Sequence, residues 1–360
     1  MQLELYDFIS SLYSNIISTT HEKGINMESV DWNSGSLLEM SGSYWKTCTL
    51  HTGVKLDIFT AIGSNALVVD EINAKLKVDK RGLSMLLNAL SALELLEKKD
   101  DQYSNSTPAL TFLSKESKQY IGFMIMHHHH LMESWHKMDE AIIEGRPSRN
   151  RSSFSDEERR ESFLMGMFNI GMAVAPKLSK ELDLSGCKKL LDFGGGPGTF
   201  AIHFCLANPG LNASVYDLST TRPFAEKTIN RFKVSDRINF IPGNYLEDEF
   251  AYPDSFDVAW LSHILHGEGP EQAQEIIRKA VLALKPKSKI YIHDFILNDN
   301  MDGPLFPALF SINMYLGTSK GQSYSETQIS DMLKVHGVQD IKRLSFEGST
   351  QSGILSGIIS

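Results

Sequence analysis

Apolar positions in the first third of the chain recur three and four residues apart, the spacing of amphipathic helices. This spacing is found in residues 1–20, in 44–62 and most regularly in the leucines after Asp79. A short segment, ALVVDEINAKLKV, precedes those leucines, and the polar stretch KKDDQYSNST follows them. Two short helices, a longer helix and a polar hairpin predict a winged-helix unit.

The rest of the chain predicts two linker helices and then alternating strands and helices. The linker helices lie in 121–150 and 161–182, on either side of a polar stretch. From Lys188 onward, five short apolar strands alternate with helices, and we expect the last of these helices to stop at Pro286. This alternation indicates a parallel, doubly wound sheet, and the tail predicts an antiparallel hairpin at its edge. We therefore predict an α/β fold with three segments, 1–120, 121–180 and 181–360.

Composition narrows the class of protein. The 360 residues are 42% hydrophobic and 22% charged, which excludes collagen-like and wholly disordered chains. The net charge of −9 disfavours general binding to nucleic acid. Three cysteines without a Cys-x-x-Cys pair predict neither a disulfide framework nor a zinc site, and they favour a cytoplasmic protein. No apolar stretch is long enough to span a membrane.

The sharpest motif is LLDFGGGPGTF, where a predicted strand runs into glycines and then into a helix. Such glycines let a ligand approach the backbone amides at a helix N-terminus. Gly194, Gly196 and Gly198 have G-x-G-x-G spacing, one residue tighter than a dinucleotide fingerprint. About 20 residues later, Asp217 ends the second strand, where a carboxylate can bind ribose hydroxyls. A nicotinamide cofactor and S-adenosylmethionine both fit, and Asp192 with this spacing favours the second.

With these motifs, the chain from about residue 35 resembles the small-molecule O-methyltransferases of the caffeate, hydroxyindole and polyketide-tailoring type. LLDFGGGPGTF is similar to the family's LLDVGGGTG loop, and VYDLSTT to its strand ending in D-L-P. LSHILHGEGPEQ is similar to its S-x-x-L-H-D-W-x-D segment, and IPGNYLED to its G-D-F-F segment. The resemblance implies a Rossmann-like S-adenosylmethionine domain, a winged-helix domain that dimerises, a homodimer and a small-molecule acceptor.

The resemblance also implies which residues contact the cofactor. The glycines of the loop would line its methionine part, Asp217 its ribose, and the segment after the third strand its adenine. At position 244 the family usually has Asp, so Asn244 is a departure. The complete predicted set is Asp192, Gly194, Gly196, Gly198, Asp217, Leu218, Asn244, Tyr245 and Ser262.

His266 is the candidate general base. It follows the carboxyl end of the fourth strand, where ligands bind in such sheets. A neutral imidazole is a suitable acceptor for a phenol proton. The resemblance places the catalytic histidine at His266 and the acid that orients it at Asp294. Two departures are Gly267, where the family has Asp, and Ser323, where some relatives have a second acid. His263 is the rival base.

Other side chains suggest an acceptor pocket rather than a metal site. The consecutive His127–His130 would point in four directions on a helix, so at most two share a face, and we predict no metal. We expect them to line the acceptor cavity or a dimer contact. A planar, apolar acceptor is implied by the predicted pocket residues Met165, Phe168, Phe306, Phe310 and Met314.

Three alternative functions remain open at this point. The acceptor atom can be carbon, as in relatives that methylate large planar rings. A nicotinamide-dependent dehydrogenase would be a different class of enzyme, but it predicts the looser G-x-G-x-x-G loop. A non-catalytic winged-helix regulator would bind DNA with a steep salt dependence, whereas the candidate recognition helix is rich in leucine and poor in basic residues.

Overall fold

The computed structural model describes residues 32–151, 156–250, 252–346, 348 and 350–360. The helix expected in residues 1–20 lies outside these ranges. By its internal contacts the chain divides into two units, one ending at Met132 and the other beginning at Glu133. The three-segment division into 1–120, 121–180 and 181–360 stays a prediction.

The first unit is mostly helical, with a small antiparallel sheet of order β1-β3-β2. Its strands are β1 (Leu67–Val68), β2 (Leu96–Lys99) and β3 (Gln102–Asn105). Its helices, including one that continues past Met132, are α1 (Ser34–Gly42), α2 (Tyr44–Lys55), α3 (Ile58–Ile62), α4 (Val69–Leu76), α5 (Lys80–Ala92), α6 (Thr107–Phe112) and α7 (Gly122–His136).

The leucine spacing of α5 is explained by the core of this unit. Leu83, Leu87 and Leu90 are buried on one face of the helix. They pack with Phe59 and Ile72 in a single apolar cluster, which is what the three- and four-residue spacing predicts.

One predicted helix in this unit is broken. The segment 44–62 forms two helices, because Asp57 adopts a left-handed backbone with φ of 60°. The helical pattern of apolar residues continues across this break, so the pattern did not reveal it.

The second unit has a seven-stranded sheet of order β6-β5-β4-β7-β8-β10-β9. The first five strands in this order run parallel, and β10 pairs antiparallel with both β8 and β9. The strands are β4 (Lys189–Phe193), β5 (Asn212–Asp217), β6 (Ile238–Pro242), β7 (Phe256–Ser262), β8 (Leu284–Asp294), β9 (Val338–Arg343) and β10 (Gly353–Ile359). The α/β fold, the parallel sheet and the antiparallel hairpin at its edge are confirmed.

Helices accompany this sheet, but the segment 121–150, predicted as one linker helix, forms two helices, one ending at His136 and the next beginning at Met138. Apolar residues of the strands are buried against the helices of this unit in two clusters. The helices are α8 (Met138–Glu144), α9 (Glu157–Glu181), α10 (Thr199–Ala207), α11 (Arg222–Arg231), α12 (Pro270–Leu282), α13 (Leu305–Gly317) and α14 (Glu326–Val335).

The expected stop of α12 at Pro286 is wrong. The helix ends at Leu282, and Pro286 lies within β8. The register between β7 and β8 shifts here, with Phe256 opposite Leu284 but Val258 opposite Lys289. Proline has no amide hydrogen for a strand ladder, and such an irregularity is where a sheet accommodates it.

Candidate active site at the carboxyl ends of the strands

The loop between β4 and α10 has the left-handed backbone that glycines permit. Gly194, Gly196 and Gly198 have φ angles of 73°, 54° and 75°, values that residues with a Cβ rarely adopt. The amide of Gly194 donates to the Tyr216 carbonyl at 2.8 Å, which ties the loop to β5. A Cβ built on Gly196 would meet no atom within 4 Å. This side of the loop therefore has room for a ligand.

Asp192 lies beneath the loop and is fully buried. Its Oδ2 accepts a long hydrogen bond from the Ala201 amide (3.3 Å), while no described group donates to its Oδ1. Burial raises the pKa of Asp192 to about 7. A Cβ on Gly195 would lie 2.5 Å from the Asp192 Cγ, so this position requires glycine, although sequence reasoning did not single it out. A buried oxygen without a donor suits a site that receives a polar ligand group.

Asp217 ends β5 and already holds the glycine loop. Its Oδ2 accepts from the Gly196 amide (2.8 Å), and its Oδ1 accepts from the Leu218 amide (2.7 Å) and the Thr221 hydroxyl (2.9 Å). Burial raises the pKa of Asp217, and these three hydrogen bonds act in the opposite direction. A carboxylate has about four acceptor positions, so these contacts leave capacity for one more donor.

The predicted adenine segment follows β6. The Asn244 side-chain carbonyl accepts from the Leu246 backbone amide (3.0 Å), and the Asn244 backbone amide donates to the Asp248 carboxylate (2.7 Å). The carbonyl of Tyr245 accepts from Lys279 of α12 at 2.9 Å. Asn244 and Tyr245 therefore lie in a turn that its own residues and α12 hold in place.

His266 and Asp294 are in direct contact. The Nδ1 of His266 lies 2.6 Å from the Asp294 Oδ1, and both side chains are buried. That oxygen also accepts from the Phe295 amide at 2.8 Å. Burial opposes ionisation of Asp294, but the attraction and hydrogen bond of His266 outweigh it and hold the pKa of Asp294 at about 2. An ionised Asp294 requires the proton of a neutral His266 on Nδ1, which leaves the lone pair on Nε2.

His263 has a different environment. Its Nδ1 lies 2.9 Å from the Ser262 hydroxyl, which is also 2.9 Å from Nδ1 of the buried His293. Burial lowers the pKa of His263 to about 4. Ser262, a predicted cofactor contact, thus uses its hydroxyl between two imidazoles. The His263 backbone is left-handed with φ of 57°.

A contact that sequence reasoning missed holds the turn after His266. Arg151 donates to the Gly267 carbonyl and, at 2.6 Å, to Oε1 of Glu268. Glu268 is 6% exposed, and its own carbonyl accepts from the Tyr324 hydroxyl at 2.5 Å. Arg151 and Glu268 are 117 residues apart, and neither belongs to a motif that indicates the pairing.

Aromatic rings surround His266 on the side of α13. The Phe310 ring lies 4.7 Å from the His266 ring, and Phe295 lies 4.4 Å from Phe310 and 5.0 Å from Phe306, measured between centroids. Phe295, which was not predicted, completes this group. Phe310 therefore lies against His266, and Phe306 joins the same group of rings through Phe295.

The other predicted pocket residues are placed differently. The ring centroid of Phe168 on α9 lies 6.3 Å from that of Phe232. The Arg231 guanidinium lies over the Phe168 ring. Met165 on the same helix is buried, and Met314 on α13 is half-buried. The described ring contacts of Phe168 thus lie at the C-terminal end of α11.

The histidine run lies on α7. His129 contacts the His51 ring at 5.6 Å between centroids, and its Nε2 is 3.1 Å from the Lys55 Nζ. In the described ranges, no group of three or more His, Cys, Asp or Glu side chains could hold a metal ion.

Comparison with known proteins identifies the family. The family model for the O-methyltransferase domain matches residues 135–339, and that for the O-methyltransferase dimerisation domain matches 38–115. The chain is 28% identical over 328 residues to 3-hydroxy-5-methyl-1-naphthoate 3-O-methyltransferase of Streptomyces sahachiroi, covering 89% of this chain and 94% of that protein. It is 27% identical over 322 residues to the L-tyrosine C(3)-methyltransferase of Streptomyces lavendulae, covering 85% and 87%.

A solved structure supports the same assignment. An O-methyltransferase family protein from Burkholderia thailandensis superposes with a TM-score of 0.82 at 25% identity, covering 91% of this chain and 98% of that one. No described helix combines the length and apolar character needed to cross a bilayer. With the glycine loop, Asp217 and the His266–Asp294 contact at the strand ends, these matches show that the chain belongs to the S-adenosylmethionine-dependent O-methyltransferases that carry an N-terminal dimerisation domain.

Proposed function

We propose that this enzyme methylates a hydroxyl of a small planar aromatic acceptor and that His266 is its general base. The His266–Asp294 contact carries this proposal, because an ionised Asp294 leaves the lone pair of a neutral His266 on Nε2. That nitrogen can accept the proton of a phenol. Asp294 then stabilises the imidazolium that forms, as the acid of a catalytic triad does.

The residues of the glycine loop fit the cofactor that the family requires. S-adenosylmethionine, when bound, supplies a methyl group on a positively charged sulfur. Asp217 has acceptor capacity for a ribose hydroxyl, and the Asp192 Oδ1 lacks a donor. The left-handed Gly196 leaves the loop open on one side. Asn244 and Tyr245 border the adenine in this proposal.

His266 is favoured over His263 as the base. Burial lowers the pKa of His263 to about 4, so it binds protons weakly at neutral pH. Its described hydrogen bond is to Ser262, a neutral hydroxyl, which stabilises an imidazolium less than a carboxylate does. His266 has Asp294 for that purpose.

The acceptor class follows from the aromatic group around His266. Phe295, Phe306 and Phe310 present flat apolar surfaces, which favour a planar ring. The relative from Streptomyces sahachiroi is named for a hydroxynaphthoate. We therefore propose a phenolic acceptor of one to a few fused rings.

Two further properties belong to this proposal. The match to the dimerisation domain supports a homodimer. Cys48, Cys187 and Cys205 are free thiols, as in proteins of a reducing compartment, and we propose a cytoplasmic location on that basis.

The test is transfer of isotope-labelled methyl from S-adenosylmethionine to 3-hydroxy-5-methyl-1-naphthoate and to a panel of simpler naphthols. The control is 5-methyl-1-naphthoate, which lacks the hydroxyl. We expect a labelled methyl ether and an equal amount of S-adenosylhomocysteine with the phenols alone. Label on a ring carbon, located by NMR, would instead establish C-methylation, the reaction named for the Streptomyces lavendulae relative. Absence of transfer to every phenol would overturn the proposal.

A further inference from the structure

We infer that Arg151 and Glu268 are positioning residues that hold the turn carrying His266, which rests on the proposed function of His266 as base. Arg151 donates to two acceptors in this turn, the Gly267 carbonyl and the Glu268 carboxylate. The first is in the residue directly after His266. A shift of this carbonyl is therefore transmitted to the imidazole through a single peptide unit.

The turn needs such a restraint because its own bonds are few. Residues Leu265–Gly267 form one 3-10 turn. Two backbone hydrogen bonds close it, from Gly267 to Ile264 (3.2 Å) and from Glu268 to Leu265 (3.0 Å). Glycines stand at 267 and 269, and glycine restricts the backbone least of all residues. Contacts from outside the turn must therefore fix its conformation.

Glu268 supplies two of these outside contacts. Its carboxylate accepts a hydrogen bond from the Arg151 guanidinium at 2.6 Å, and its carbonyl accepts one from the Tyr324 hydroxyl at 2.5 Å. Glu268 is 6% exposed and the Arg151 side chain 25% exposed, so solvent screens this ion pair only in part. Removing one partner would leave a buried charge without compensation.

The backbone at Gly321 packs against the same turn. A Cβ at Gly321 would lie 2.6 Å from the His266 carbonyl and 2.9 Å from that of Gly267. The backbone at residue 321 thus approaches the turn closely, and Arg151 holds the turn through hydrogen bonds. Both restraints act on the backbone of His266 and Gly267 rather than on the imidazole.

The pair also reaches the predicted cofactor segment. The Tyr245 hydroxyl lies 3.5 Å from the Glu268 oxygen that Arg151 binds. Tyr245 follows Asn244, which is expected to border the adenine. Glu268 therefore connects the segment that is predicted to border the cofactor with the turn that carries His266.

Arginine suits this position because its planar fork serves two acceptors at once, which a lysine ammonium does less rigidly. The chain offers a matched control in Arg146, which pairs with Glu144 at 2.7 Å on the exposed surface. Arg151→Met and Arg146→Met each remove a guanidinium from an ion pair, one beside the His266 turn and one on the exposed surface. Arg151→Lys and Glu268→Gln are milder changes in case Arg151→Met does not fold.

The experiment measures two properties of the full-length variants. Hydrogen–deuterium exchange of the backbone amides of residues 264–269 reports on the turn in the absence of a methyl acceptor. Steady-state rates with 3-hydroxy-5-methyl-1-naphthoate report kcat and KM separately. For Arg151→Met we expect faster exchange in this segment and a kcat lower by about 10- to 100-fold, because small misplacements of a catalytic group have effects of this size. The KM for S-adenosylmethionine should change less than kcat, and Arg151→Lys should restore part of the rate.

The outcomes separate this inference from the proposed function. A wild-type enzyme that methylates no phenol contradicts the proposed function, and the positioning role is overturned with it. An active wild type with an unchanged kcat in both Arg151→Met and Glu268→Gln overturns the positioning role alone. Equal losses of kcat in Arg151→Met and Arg146→Met would also overturn it, because the effect would not depend on the turn.

Discussion

The Nδ1 of His266 lies 2.6 Å from the Asp294 Oδ1, although 28 residues separate them in the chain. Parallel pairing of β7 and β8 brings them together. Ser262 is in register with His293, so Asp294 ends its strand next to the turn that begins after Ser262. The sheet therefore places His266 and Asp294 at the same edge as the glycine loop.

Substitution of Asp294 tests the role of this carboxylate. Asp294→Asn keeps the shape and an acceptor oxygen but removes the charge that supports an imidazolium. We expect kcat to fall by about 10²- to 10⁴-fold, the range for loss of general-base function, while the Kd for S-adenosylhomocysteine stays near the wild-type value. Steady-state methyl-transfer assays measure kcat, and calorimetric titration measures the Kd for S-adenosylhomocysteine. A variant with wild-type kcat would show that the charge has no catalytic role.

The glycine loop offers a matched pair of alanine variants. Gly196 and Gly145 both have left-handed backbones, with φ of 54° and 68°, and a Cβ at either meets no atom within 4 Å. Each alanine should therefore reduce the free energy of unfolding by about 1 kcal/mol. Gly196→Ala should in addition weaken S-adenosylhomocysteine about tenfold or more, because its methyl group enters the space proposed for the ligand. Equal affinities of the two variants would contradict the placement of the cofactor.

Asp192 should make stability depend on pH. Burial raises its folded-state pKa to about 7, whereas an unfolded chain has a value of about 3.9. Its contribution to the free energy of unfolding is thus complete below about pH 4 and is lost as the pH rises through 7, by about 1.4 kcal/mol per unit at most. The free energy of unfolding of Asp192→Asn should therefore increase relative to that of wild type as the pH rises from 4 to 7.

Denaturant unfolding of both proteins at several pH values between 5 and 8 measures this difference. The exposed Asp101→Asn serves as the control, and its difference from wild type should stay flat across that range. A flat difference for Asp192→Asn as well would show that the carboxyl is ionised in the folded protein throughout.

Local patterns predicted much of the fold and part of the site. The leucine spacing of α5, the alternation of strands and helices, and the glycine loop each depend on neighbours within a few residues. The positions of Asp217 and His266 follow from where strands end. Such features are encoded locally, so a single sequence reveals them.

Contacts between distant segments were not predictable in the same way. Arg151 and Glu268 lie 117 residues apart, and no periodicity relates them. The ring of Phe168 packs against Phe232 because α9 lies beside α11, which a helical pattern alone does not specify. Pro286 resembled a helix stop, since the register shift that places it in β8 depends on the partner strand.

The most direct test of the central claim compares His266→Ala with His263→Gln. We expect His266→Ala to lower kcat for the phenol acceptor by about 10²- to 10⁴-fold and to leave the Kd for S-adenosylhomocysteine unchanged. His263→Gln, the variant of the rival histidine, should keep kcat within about tenfold of wild type, less than a lost general base costs. A His266→Ala enzyme with near wild-type kcat and intact cofactor binding would contradict the account, and a larger loss in His263→Gln would transfer the base to His263.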